Sequence, residues 1–120
     1  SEIILLGPQN NTSRIFNELD INILCSGYGE AFPNVVAEGM ASGTPCVVTD
    51  VGDSSLIVGD TGWVTKTNNS NELANKIIKA IKISKTKKWN YLCLKARKRI
   101  VNNFSIKKCL ITIIKFGNKL

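Results

Sequence analysis

A chain of 120 residues, 43% of them hydrophobic, has room for one small domain with a real core and little room for a second. No apolar run approaches the roughly 20 residues that a bilayer-spanning helix needs; the longest candidate is residues 110–116. The formal charge of +7 is unevenly spread, because residues 1–70 hold two basic and eight acidic side chains while residues 71–120 hold fourteen basic ones and a single acid, Glu72.

Residues 2–7 form a short apolar run closed by glycine, the pattern of a buried parallel strand. Ile15, Phe16 and Leu19 at helical spacing predict a helix over 12–19, with Thr12 or Ser13 as its cap. A second strand is expected over 21–26. A helix over 34–42 follows, with Pro33 suited to its first turn and Gly43 to its end. Residues 45–49 read as a third strand, 54–58 as one helical turn and 62–65 as a fourth short strand. Beyond the polar loop at 68–71 the pattern is wholly helical. Leu73, Ile77, Ala80, Ile81 and Ser84 trace one face of a helix capped by Ser70 or Asn71. A second helix is expected over 85–103 and a third over 105–115. Trp63, Trp89 and Phe104 read as packing residues. Strands alternating with helices imply α/β architecture: a Rossmann-like parallel sheet flanked by helices over 1–65, and a helical portion over 71–120, all in one domain.

The chain has no histidine, which excludes Ser–His and Cys–His nucleophilic chemistry within it. Cys25, Cys46, Cys93 and Cys109 form no CxxC pair, so no zinc site is indicated and no metal is expected. Four free thiols fit a reducing compartment, and the expected localisation is cytoplasmic. The basic C-terminal half reads first as a lysine-studded solvent face. Peripheral contact with the anionic inner face of a membrane stays open. Aromatics do not interleave with the lysines as nucleic-acid binding requires, so no nucleic acid partner is expected.

The chemistry concentrates in residues 26–45. A strand end leads through a glycine-containing turn into a helix N-terminus. In an open parallel sheet, ligands bind beyond the carboxyl ends of the strands, and unpaired N–H groups at a helix start suit a phosphate. No Walker-type lysine follows. Glu30 precedes the helix and Glu38 lies one turn into it. Each carboxylate can accept two hydrogen bonds, as vicinal hydroxyls of a sugar require, although an E-x7-E spacing also fits a surface helix residue and a helix-dipole partner.

Residues 30–52, EAFPNVVAEGMASGTPCVVTDVG, resemble the donor-domain motif of glycosyltransferase family 4 and its relatives of the GT-B fold. Weaker likeness continues through residues 71–77 and 99–105. The resemblance implies the C-terminal, nucleotide-sugar-binding half of a retaining glycosyltransferase of hexosyltransferase type, acting in polysaccharide or glycoconjugate biosynthesis. It places Glu30, Phe32 and Pro33 at the donor sugar, Asn34 and Val35 at the diphosphate, and Glu38 at the ribose. The implied donor is UDP-, GDP- or ADP-linked, and no cofactor or metal is implied. Ala31 and Gly39 depart from the glycine and alanine common at those positions, and a glycine within a helix costs about 1 kcal/mol relative to alanine. Asp53 and Leu56 also depart from the pattern. The family's diphosphate-clamping arginine and lysine have no counterpart here, since Arg14 matches neither. The chain therefore reads as an N-terminally truncated donor domain, inactive alone without its N-terminal domain or a complementary chain. A stand-alone nucleotide-sugar-binding or regulatory module is the alternative.

Overall fold

A computed structural model of the chain describes residues 3–29 and 31–104. Glu30, Cys109 and the helix expected over 105–115 lie outside the described residues. The elements run α1 (Thr12–Glu18), β1 (Asn22–Leu24), α2 (Asn34–Ala41), β2 (Cys46–Thr49), α3 (Ser54–Val58), β3 (Trp63–Thr65), α4 (Ser70–Ser84) and α5 (Lys88–Asn103). The strands pair in parallel in the order β1-β2-β3, with Ile23 opposite Val47 and Val48 opposite Val64. Each strand-to-strand crossover carries a helix, so the chain is α/β and Rossmann-like, with helices following the sheet.

The sheet's period of two sorts its side chains into two layers. Cys46 and Val48 of β2 join Val36 and Met40 of α2, Ile57 and Val58 of α3, and Ala96 and Ile100 of α5 in one buried cluster. Val47, pointing the other way, is fully buried on the face where α4 packs against β2 and β3. Ile23 lies on that same face at the β1 edge, where it is exposed. The middle strand is buried at all four residues, and hence carries no charge.

Several expectations change. Residues 3–7 form no strand: Ile3 to Leu6 are exposed and pair with no neighbour among the described residues. An apolar run becomes a strand only by its ladder, and among the described residues β1 pairs with β2 alone. The caps also shift by one residue. Asn11 rather than Thr12 or Ser13 caps α1, its side chain accepting from the Arg14 amide at 3.3 Å. Asn69 rather than Ser70 or Asn71 caps α4, accepting from the Glu72 amide at 3.0 Å. Helix α5 starts at Lys88 instead of 85. The hydroxyls of Ser84 and Thr86 close back on the carbonyls of Ile81 and Ile83, which ends α4 and makes a turn.

Gly39 has a steric reason to be glycine. A Cβ there would stand 2.7 Å from the side-chain nitrogen of Asn22. That buried amide donates to the Val35 carbonyl at 3.0 Å and contacts Cys46 Sγ at 3.6 Å. Gly39→Ala therefore sets a helix-propensity gain of about 1 kcal/mol against a disturbed buried hydrogen bond worth about 1–3 kcal/mol. The single substitution should lower the urea midpoint. In an Asn22→Ala background the same change should raise it, giving a coupling of about 1–2 kcal/mol. A stabilising single substitution would show that Asn22 yields without cost.

Candidate functional site

Residues 26–29 and 31–33 lie at the C-terminal ends of the strands and are held at two points. Thr49, the last residue of β2, donates its hydroxyl to the Ser26 carbonyl at 2.6 Å. The Asp53 amide donates to the Ala31 carbonyl at 2.8 Å. Between these anchors Gly29 takes a φ of +85°, a left-handed conformation that suits glycine. Tyr28 projects into solvent.

Phe32 is half-exposed and rests on Phe104 at the end of α5, ring centroids 6.0 Å apart. Pro33 is buried, one position earlier than expected: it is the N-cap of α2, and its carbonyl accepts from Val36 at 3.0 Å. Asn34 and Val35 follow as the first helical residues, both exposed at the mouth of the loop. Their amides precede the helical ladder, whose earliest donors have no intrahelical acceptor. They carry the partial positive charge of the helix start.

Glu38 is exposed in the second turn of α2 and accepts a hydrogen bond from the Thr12 hydroxyl at 3.3 Å. Thr12, Ser13 and Asn17 of α1 face Glu38, Ala41, Ser42 and Arg97 across an open cleft of about 360 Å³. Arg97 reaches this cleft from α5 and donates to the Ala41 carbonyl at 2.9 Å. The structure thus brings Phe32, Pro33, Asn34, Val35 and Glu38 onto one helix start, and adds α1 hydroxyls beside Glu38. No periodicity pointed to Thr12 as a neighbour of Glu38, because the two are 26 residues apart. Arg14, which pairs with Glu18 at 3.8 Å on the solvent side, takes no part.

Cys25, Cys46 and Cys93 are free thiols. Burial pushes the Cys46 thiol up to about 12 against a smaller opposing effect of its Asn22 hydrogen bond, so it is no nucleophile at neutral pH. Among the described residues, no group of three or more metal-ligating side chains comes together. No helix among them is long and apolar enough to cross a membrane.

A glycine-bent loop over parallel strand ends, followed by a helix start with a carboxylate one turn in, is an arrangement for a phosphorylated, hydroxyl-rich ligand. The profile of the family described as Glycosyl transferases group 1 matches residues 1–82, two thirds of the chain. The chain belongs to the group 1 glycosyltransferases. It is 26% identical over 108 residues to the UDP-Gal:alpha-D-GlcNAc-diphosphoundecaprenol alpha-1,3-galactosyltransferase of Escherichia coli, covering 88% of this chain and 27% of that protein. It is 32% identical over 82 residues to the N-acetyl-alpha-D-glucosaminyl L-malate synthase of Bacillus anthracis, covering 67% of this chain and 21% of the relative. In three dimensions it superposes on a glycosyltransferase from Rickettsia africae ESF-5 with a TM-score of 0.82 and 26% identity, over 88% of this chain and 28% of the other. This glycosyltransferase chain thus spans between 21% and 28% of the length of the relatives it matches.

Proposed function

We propose that this group 1 glycosyltransferase chain forms the nucleotide-sugar-binding part of a retaining transferase of hexosyltransferase type in polysaccharide or glycoconjugate biosynthesis. The observation that carries this reading is the placement of Glu38 one turn inside α2, beside the Thr12 hydroxyl and behind the exposed amides of Asn34 and Val35. The amides would take the diphosphate and Glu38 the ribose hydroxyls. Phe32, Pro33 and Glu30 would lie at the donor sugar. Leaving-group charge would be met by the helix start and by basic side chains, without a metal. Transfer itself would require an acceptor-binding domain or a complementary chain, so the 120 residues alone would show no turnover. The expected setting is the cytoplasm.

Titration calorimetry of the chain with UDP, GDP and ADP tests the reading. UDP comes first, because the Escherichia coli relative is named for a UDP-linked donor. Saturable binding of one nucleotide is expected, weakened by Glu38→Ala about 10- to 100-fold, the equivalent of a lost hydrogen bond to a charged group. Binding of none of the three, or binding indifferent to Glu38→Ala, would overturn it.

A further inference from the structure

Helix α5 contains no acidic residue, and neither does the rest of the chain from Leu73 to Phe104. Its inner side is committed: Ala96 and Ile100 are buried in the core against α2 and α3. Its outer side is not the plain charged face that a surface helix usually shows. Tyr91, Leu94 and Val101 are 68%, 51% and 50% exposed. With Lys87 and Lys98 they fall at positions 87, 91, 94, 98 and 101, a spacing of four and three that draws one stripe along a helix. Large apolar groups therefore share one exposed line of α5 with lysines.

Basic charge surrounds this stripe. Lys85 and Lys87 occupy the α4–α5 turn and Lys88 opens the helix, all three exposed. The acid that faces this surface is Asp60, paired with Lys95 at 2.7 Å. That contact holds the Asp60 carboxyl below its usual range, and no ion pair joins Lys85, Lys87 or Lys88 to an acid among the described residues. Beside the stripe, between the start of β3 and helices α4 and α5, an open cleft of about 540 Å³ is lined by Trp63, Ile83, Tyr91 and Leu92, with Lys79, Lys88 and Asp60 among its walls. Trp63 stacks on Trp89 there, ring centroids 6.5 Å apart.

We propose that the outer face of α5 and the α4–α5 turn dock this protein onto an anionic phospholipid surface. Lysines flanking a row of exposed apolar side chains, with an aromatic among them, is the composition of a helix lying in the interface plane. The lysines meet headgroup phosphates while Tyr91, Leu94 and Val101 enter the acyl boundary. Nucleic acid fits less well. Leu94 and Val101 give a base nothing to stack on, and Trp63 and Trp89 are half-buried against each other. The docking stripe contains none of the residues assigned to the donor site. Arg97, which reaches the Glu38 cleft, lies to one side of it.

Co-sedimentation of the chain with vesicles of equal parts phosphatidylglycerol and phosphatidylcholine tests this against vesicles of phosphatidylcholine alone. Binding is expected to the anionic vesicles only, and to weaken as salt rises. Each lysine near the surface contributes about fivefold in partitioning, so Lys85→Glu with Lys87→Glu and Lys88→Glu should reduce binding more than 100-fold. Tyr91→Ser with Leu94→Ser should reduce it about tenfold. All five side chains are exposed, and an unchanged circular dichroism spectrum and urea midpoint confirm that each variant is folded. Equal binding to both vesicle types, or binding unchanged in the lysine variant, would overturn the proposal. So would tighter binding to a single-stranded RNA homopolymer than to the anionic vesicles at the same salt.

Discussion

Replacing Gly62 by alanine should cost about 3 kcal/mol, a large part of the roughly 5–15 kcal/mol that holds a domain of this size together. Gly62 immediately precedes β3, and a Cβ built on it stands 2.5 Å from the carbonyl oxygen of Cys46 and 3.0 Å from Val58 Cγ1. The first obstacle is main chain at the start of the central strand, so no rotamer change can relieve it. Relief requires β2 and β3 to separate where Val47 faces Trp63, in a sheet of three strands among the described residues. The measurement is urea unfolding followed by tryptophan fluorescence, since Trp63 reports on the strand concerned. A midpoint equal to that of the unmodified chain would mean that the two strands are farther apart than described.

Arg99→Ala should be nearly as damaging. Helix α3 is only five residues long, and the last carbonyls of so short a helix have few partners of their own. The Arg99 guanidinium supplies two hydrogen bonds from α5, Nε donating to the Ile57 carbonyl at 2.7 Å and Nη2 to the Leu56 carbonyl at 2.6 Å. Hydrogen bonds from a charged group are worth about 1.5–3 kcal/mol each, and the two share one side chain, so a loss of about 3 kcal/mol is expected. Arg99→Lys should recover only part of it, because an ammonium cannot reproduce the planar fork. The same urea experiment decides the matter. If lysine served as well as arginine, the bidentate geometry would be irrelevant.

The parts of this fold that follow local rules could be read from the sequence. Glycine and proline punctuate the chain around α2, β2, α3 and β3, so those elements begin and end within about a residue of expectation. Residues 3–7 misled because hydrophobicity shows that a segment could be buried, not whether a neighbouring strand is there to pair with it. Asn11 and Asn69 displaced the expected caps because an asparagine one residue earlier competes for the same amides. The loop between β1 and α2 was legible through its motif. Its supports were not: Thr49 on Ser26, Phe104 beneath Phe32 and Thr12 on Glu38 all join residues distant in sequence. The pairing of Gly39 with Asn22 is hidden in the sequence for the same reason, since the helix cost of the glycine is local and its contact is not.

The moorings of the loop between β1 and α2 bear on what any ligand bound there must do on arrival. The Thr49 hydroxyl, the Asp53 amide and the Phe104 ring are all fixed by folding. The entropy lost in shaping the two ends of the loop is therefore spent before any ligand is present. Preorganisation of this kind makes affinity depend less on induced ordering and more on how well each group fits a shape already cast.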